Sequence, residues 1–447
     1  MSNMSNLSNM SNGLRRRPLL GVLPGGVAGL AATVRPRPAG AAPYRVGVGK
    51  SSDAYTATRR AIEASGEWPA ATIAGRVVVI KPNLVGPATA DTGMVTDPEA
   101  VRALVDLALQ AGASRVLIVE GGRQQANFTP CGYDFFRTYD PAGRVALVDL
   151  TQAPVVLAPV PGGLAYRYVY LPRFLLDPNL VLVSAGKLKT HAETMATMGV
   201  KNLFGLPPVP PYFMPDEPFF RPRFHLHERG VHQTIVDLTL LRPSHFTIVD
   251  GVWGMEGEGP TDGTPVRMDL VVAGQNAVAV DRVCLYAMGM AQEWVQYLAY
   301  AAAKGLGPAT LSGIEVRGDP FTPRPFRLPA IVSPIVWRPV ATPNVIAPGL
   351  GQQTLLAYRL HARPDLACAT RVEIVRTSEQ TSTITLVRTI RDWAPRASGV
   401  ESLPWDGRDD AGQIVSPGVY TARVQARYDG HDEVPIAYAT CWVTVTA

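Results

Sequence analysis

The residues with the most chemistry in the smallest space lie between Ser184 and Gly205, in the stretch SAGKLKTHAETMATMGVKNLFG. Lys187, Lys189, His191 and Lys201 bring four side chains able to carry positive charge into fifteen residues. Lys187, Lys189 and His191 alternate, so in an extended segment they share a face. Such a set can bind carboxylate or phosphate oxygens, and the histidine can also move protons or ligate a metal. Asn202 and Gly205 follow, and glycine lets backbone approach closely. The plain alternative is a solvated loop carrying charge for solubility. The neighbours Met195, Met198, Val200, Leu203 and Phe204 are apolar, which favours a site.

These side chains need a scaffold. Leu180 to Val183 is an apolar run that reads as a buried strand leading into the lysines. Four similar runs end in polar residues: Val77 to Ile80 before Lys81-Pro82-Asn83, Val116 to Val119 before Glu120, Phe246 to Val249 before Asp250, and Leu270 to Ala273 before Gly274. Continuous Val/Ile/Leu runs of this length suit strands buried on both faces of a parallel sheet. Between the first two lies a helix signal, with Asp97 as cap, Pro98 in the first turn and a stripe of Val101, Leu104, Val105 and Ala108. The expected fold class is α/β, a mainly parallel sheet with flanking helices, followed by a small all-β sandwich.

Open parallel sheets bind ligands beyond the carboxyl ends of their strands. One crevice there can gather Lys81, Asn83, Glu120, Lys187, Lys189, His191 and Asp250; for any one of them a strand-end cap is the simple alternative. Lys81, Asn83, Glu120, Lys187, Lys189, Lys201, Asn202 and Asp281 are the expected ligand-binding residues, although Asp281 can equally cap or salt-bridge a helix. His191, Asp250 and Glu256 are the expected catalytic groups. Asp250 to Pro260 carries Glu256 and Glu258 among glycines and reads as a mobile, tightly turning loop.

Residues 206–234 read as a Pro- and aromatic-rich lid ending in His225-Leu226-His227. His-x-His spacing places two imidazoles on one face of a strand. A divalent metal, if bound, would take His191, His225 and His227; exposed loop histidines are the alternative. No GxGxxG, Walker A or GxSxG motif occurs. None of the four cysteines forms a CxxC motif, so no iron–sulfur cluster is expected. Net charge is +5 without a basic, aromatic-interleaved run, which argues against nucleic acid. The expected partner is an anionic small molecule, held by an enzyme or by a non-catalytic binding protein.

Residues 1–42 read as a low-complexity start followed by an export signal. Arg16-Arg17-Pro18-Leu19-Leu20 resembles the twin-arginine signal, and Ala39-Gly40-Ala41 supplies a small-x-small cleavage pattern. The apolar stretch between them is too short and too rich in Gly and Pro for a stable membrane span. This implies an exported protein, periplasmic, cell-surface or secreted.

Lys81-Pro82-Asn83-Leu84, Thr96-Asp97-Pro98, Lys187-Leu188-Lys189-Thr190-His191, Lys201-Asn202-Leu203-Phe204-Gly205, Gly257-Glu258-Gly259-Pro260 and Ala279-Val280-Asp281 resemble the domain of unknown function 362 (DUF362) over roughly residues 43–320. The resemblance implies that these motifs form one site and supplies no established reaction. Residues 330–447 shift to alternating segments such as Arg371 to Val375 and resemble the immunoglobulin-like domain of flagellar hook-capping (FlgD) proteins, which suggests cell-surface association. Cys368 and Cys441 in this module can pair or remain thiols. A Pro-rich joint between the two parts implies few shared contacts.

Overall fold

The computed structural model describes residues 42–121, 127–212, 225–381 and 383–447, with the side chains of Pro210 and His225 outside that description. The expected export signal and the centre of the expected lid lie outside the described residues.

The chain enters on β1 (Tyr44–Lys50), α1 (Ala54–Ser65) and a short α2 (Ala70–Ile73), then β2 (Val77–Pro82), α3 (Pro98–Gln110), β3 (Arg115–Glu120) and β4 (Val145–Asp149). A small hairpin of β5 (Val155–Pro159) and β6 (Tyr168–Pro172) precedes β7 (Val181–His191), β8 (Met195–Thr197) and α4 (Gly199–Asn202). Next come α5 (His225–Glu228), α6 (Val231–Leu241), β9 (Phe246–Glu256), β10 (Thr264–Gly274), α7 (Ala277–Ala287), α8 (Gln296–Ala303) and β11 (Ile314–Gly318).

Nine described strands form one sheet, ordered β11-β1-β10-β9-β7-β2-β3-β4 with β8 attached to β7. The strands β9, β7, β2, β3 and β4 run parallel. From β2 the chain steps outward to β3 and β4, then returns to β7 and β9 on the other side of β2. The strand order therefore reverses between β2 and β7, which is where open α/β sheets place their ligands. Both faces are covered. Val78, Ile80, Val116 and Ile118 pack with Val101 and Leu104 of α3, while Val79, Val119 and Leu182 face an apolar cluster with Leu203 and Leu206. This alternation follows from the two-residue period of a strand.

The α3 signals hold: Asp97 caps the helix, its carboxylate accepting from the Glu99 amide at 2.8 Å. Two expectations do not. Asp250 to Glu256 is no mobile loop but a continuation of β9, buried and paired with β10. The strand β10 is antiparallel to β9, because seven residues cannot make the crossover that a parallel neighbour requires.

The C-terminal part is built from β12 (Ile335–Thr342), β13 (Val345–Ile346), β14 (Thr354–His361), β15 (Cys368–Thr377), β16 (Ile384–Pro395), β17 (Gly399–Trp405), β18 (Gly418–Tyr428) and β19 (Ala437–Val445). Sheets β12-β14-β17 and β13-β19-β18-β15-β16 enclose a common core of Leu356, Tyr358, Val372, Trp405, Tyr420 and Val424. Cys368 and Cys441 are both free thiols. Among the described residues no helix is long and apolar enough to cross a membrane.

The two parts meet more closely than the Pro-rich joint implies. Gln233 on α6 donates to the Thr440 carbonyl at 2.7 Å and accepts from the Thr440 amide at 2.8 Å. The Thr440 hydroxyl donates to the Arg229 carbonyl at 2.9 Å, and Arg229, 1% exposed, pairs with Glu379 at 3.0 Å. Gln233→Ala strands a buried amide and a buried carbonyl, each costing roughly 1–3 kcal/mol. Urea unfolding of that variant is expected to show the loss in full. A change below about 0.5 kcal/mol, the range of an ordinary surface substitution, would mean that this interface is solvated.

Candidate functional site

A cavity of about 230 Å³ lies beyond the carboxyl ends of β2, β3 and β7, at the point where strand order reverses. Its lining includes Lys81, Asn83, Glu120, His191, Lys201, Asn202, Phe204, Tyr212 and His227. Strand β2 delivers Lys81 and then Asn83, β3 ends on Glu120, and β7 ends on His191. The short helix α4 delivers Lys201 and Asn202. It is held from below by Asp281 on α7, whose carboxylate accepts from the Gly199 amide at 2.7 Å and the Val200 amide at 3.0 Å. Asp281 thus caps the helix that carries two site residues and does not face the cavity. Burial pushes its carboxyl up to about 7, against those two amides.

The floor of the cavity is internally satisfied. Lys81, 1% exposed, pairs with Glu120 at 2.8 Å, and Glu120 also accepts from the Leu84 and Gly121 amides. A Cβ on Gly205 would stand 2.8 Å from Lys81 Cε and 3.1 Å from Glu120 Oε1, so any side chain there would have to push this ion pair aside. Asn202 donates to the Lys81 carbonyl at 2.7 Å and accepts from Asn83 at 3.2 Å. Asn83 Oδ1 is buried without a partner among the described residues.

His191 is 9% exposed, and its Nδ1 accepts from the Glu193 amide at 3.1 Å and the Thr194 amide at 3.3 Å. Two donors on Nδ1 assign the single proton of the neutral ring to Nε2. Burial, with Lys201 and Lys189 adding to it, keeps the ring's pKa well below its ordinary value. His191 is thus a neutral hydrogen-bond donor. A metal at Nε2 would need the proton on Nδ1, where the two amides oppose it.

Lys201 is half-buried and makes no hydrogen bond among the described residues; its ammonium lies 5.8 Å from the Phe204 ring centroid. Burial lowers its pKa to about 8, with nearby Lys81 acting in the same direction and Glu193 against it. His227 packs edge-on to the same Phe204 ring at 5.0 Å. Its Nδ1 lies 3.0 Å from Glu193 Oε2. Burial alone would raise the Glu193 carboxyl, yet His227, Lys201 and His232 hold it below its ordinary value, so it is ionised. An ionised carboxylate only accepts, which puts a proton on His227 Nδ1.

The other expected residues are placed elsewhere. Lys187 and Asp250 sit opposite each other in the β7–β9 register, both 0% exposed, and pair at 2.7 Å. Asp250 also accepts from the Asp97 and Val252 amides. Lys189, 0% exposed, donates to the Met94 carbonyl at 2.7 Å and the Pro260 carbonyl at 3.3 Å. Neither lysine stands in solvent as a strand-end clamp. Glu256 is tied to Arg327 at 2.9 Å outside the cavity. His227 lies on α5, so the alternation expected of a strand does not apply to it. Among the described residues no group of three or more His, Cys, Asp or Glu is arranged to hold a metal.

Residues 78–286 match the family described as Domain of unknown function (DUF362). That span contains every described cavity residue. The thylakoid-associated protein sll1697 of Synechocystis sp. is 25% identical to this chain over 277 residues, which is 58% of this chain and 78% of that protein. Among solved structures, the alkylpurine DNA glycosylase AlkC of Pseudomonas fluorescens gives a TM-score of 0.19 at 13% identity, over 38% of this chain and 46% of that one. The β-glucosidase EmGH1 of Erythrobacter marinus gives 0.17 at 10% identity, over 90% and 49%. This chain spans about half the length of either solved chain, and likenesses this slight carry no argument.

Two features bearing on the cavity escaped the reading of the sequence. Glu193 lies inside the highlighted stretch, but only the fold shows that it holds His227, 34 residues away. The other signal is compositional. Of 42 Lys and Arg residues only six are lysine, and Lys81, Lys187, Lys189 and Lys201 are four of these. Lys187→Met leaves the Asp250 carboxylate buried and unpaired and is expected to cost about 3–5 kcal/mol in chemical denaturation. Wild-type stability in that variant would show that Asp250 is solvated or protonated.

Proposed function

We propose that the DUF362 region binds a small anionic molecule in the cavity at the strand-order reversal and acts on it by proton transfer. The observation that carries this reading is Lys201, a half-buried ammonium in the cavity wall with no hydrogen-bond partner among the described residues. Buried or half-buried charges in folded proteins are met by counter-charges, and here the cavity is where one would enter. Around it the His191 Nε2–H and the Asn83 amide offer further polar groups, while Phe204 and Tyr212 supply apolar walls. At about 230 Å³ the space lies below the roughly 300–1,000 Å³ of sites for drug-sized ligands, which favours a metabolite of few atoms. The Glu193–His227 pair is the proton-transfer group: the carboxylate fixes the tautomer and stabilises the imidazolium that forms when Nε2 takes a proton.

Titrating the protein with inorganic phosphate and a panel of small carboxylates tests the binding half. A charge-assisted hydrogen bond contributes about 1.5–3 kcal/mol, so Lys201→Met is expected to weaken binding by roughly 10- to 150-fold. Lys201 is charged below its pKa of about 8, so affinity is expected to hold from pH 6 to 7 and to fall as pH rises through 8. An equally tight Lys201→Met complex, or no binding by any of these anions, would sink the reading. The catalytic half fails if a bound anion is retained indefinitely without chemical change.

The reading extends to location. The twin-arginine-like segment supports export, and the FlgD-like pattern of the C-terminal sandwich supports attachment at a cell surface. A thylakoid-associated relative fits a protein that works at a membrane, and among the described residues no helix is long and apolar enough to cross one. N-terminal sequencing of exported protein should begin near Ala42, and Arg16→Lys with Arg17→Lys should keep the precursor inside the cell. A mature chain that starts at Met1 would refute export.

A further inference from the structure

We propose that Lys201 is a nucleophile, condensing with the carbonyl group of a small carbonyl-bearing carboxylate, such as a 2-oxo acid, to form an imine. The proposal rests on the anion-binding reading above and gives it a substrate class. Three observations carry it. First, Lys201 borders the cavity and its amine is not engaged in a hydrogen bond among the described residues, unlike Lys81, Lys187 and Lys189, whose ammonium groups are each committed to carboxylate or carbonyl oxygens. Second, the amine and the Glu193–His227 pair converge on one aromatic ring: Lys201 Nζ lies 5.8 Å and the His227 ring 5.0 Å from the Phe204 centroid. Third, the chain uses arginine nearly everywhere, with only six lysines among 42 Lys and Arg residues. A guanidinium binds anions as well as an ammonium does, but it stays protonated and cannot attack a carbonyl. A site that only bound an anion could use either residue; a site that forms an imine needs lysine.

The surroundings suit the step. Burial favours the neutral amine, with the Lys81 ammonium acting the same way and the Glu193 carboxylate against it, and the net effect is the lowered pKa that activates lysine nucleophiles. The neutral amine adds to the carbonyl carbon, and His227 Nε2 moves one amine proton to the carbonyl oxygen to give a carbinolamine. A second proton transfer from nitrogen to oxygen expels water and forms the C=N bond. Both amine protons leave with the carbonyl oxygen, and nothing is oxidised or reduced. The His191 Nε2–H, fixed as a donor by two backbone amides, is available to hold the carbonyl or carboxylate oxygen.

The test is reductive trapping on the full chain. Protein is incubated with pyruvate, or with glyoxylate, and cyanoborohydride, then analysed by intact mass and by peptide mapping. The expected product is a single saturable adduct on Lys201, with a mass gain of one probe molecule less its carbonyl oxygen. Exposed Lys50 should react far more slowly. Acetate, which has no reactive carbonyl, should compete for the site without forming an adduct. Lys201→Arg should abolish the adduct; should that variant fold poorly, the site preference in the wild-type peptide map decides alone. Thermal shift with each probe separates the two readings. Binding of pyruvate or glyoxylate without an adduct on Lys201 would overturn the imine and leave the anion site standing. Labelling of Lys50 and Lys201 at equal rates would also overturn it. Absence of binding by either probe or by acetate would overturn both.

Discussion

An ammonium group taken out of water costs several kcal/mol unless oxygen atoms replace its hydration. This chain buries lysines where the carboxyl ends of its parallel strands converge, and the architecture around them follows from supplying those oxygens. Lys187 is met by Asp250 directly across the β7–β9 register, which ties the two strands at the depth of the core. Lys189 reaches the Met94 and Pro260 carbonyls and so pins the segment before α3 and the turn after β9. Lys81 is met by Glu120 from the neighbouring strand, and Glu120 in turn gathers the Leu84 and Gly121 amides. Each of these three ammonium groups is met by oxygen atoms of its own neighbours. Lys201 then stands out by contrast with its neighbours.

The same logic explains why the C-terminal sandwich belongs to the account of the site. The Glu193–His227 pair joins the end of β7 to α5, and α5 is one turn long, too short to hold its own geometry. Its far side is held by the sandwich, through Arg423 near Glu228, Thr440 on the Arg229 carbonyl and the Gln233–Thr440 pair. A second cavity of about 360 Å³ opens at this junction, lined by Glu193 and His227 from one part and by Arg427, His431 and Tyr438 from the other. His227 borders both cavities, so the sandwich bears directly on where that ring points.

Much of the scaffold was legible because it rests on local patterns. Apolar runs of Val, Ile and Leu marked β2, β3 and β7, and Asp97-Pro98 marked the start of α3. Of the residues expected in one crevice, Lys81, Asn83, Glu120 and His191 line one cavity, together with Lys201 and Asn202, while Lys187, Lys189 and Asp250 lie in the core. What the pattern could not supply was direction and depth. Alternation placed Lys187 and Lys189 on a common face, but a strand buried on both faces turns that face inward, where the partner oxygens come from residues 63 and 95 positions away. The glycines from Gly251 to Gly259 suggested mobility. In the fold several mark close packing: a Cβ on Gly254 would stand 2.9 Å from the Leu188 carbonyl, and one on Gly259 would stand 2.0 Å from that of Thr190.

The histidines show the limit most clearly, since spacing alone describes metal ligands and hydrogen-bonded rings equally well. His191 and His227 differ in what their Nδ1 atoms meet, two donors in one case and an acceptor in the other. These opposite partners put a proton on Nε2 of His191 and one on Nδ1 of His227. The two rings line the same small cavity. That asymmetry comes from backbone amides at Glu193 and Thr194 and from one carboxylate, all within four residues of His191. The stretch that holds three of the six lysines is therefore also the one that sets the proton positions of both rings, chiefly through its backbone.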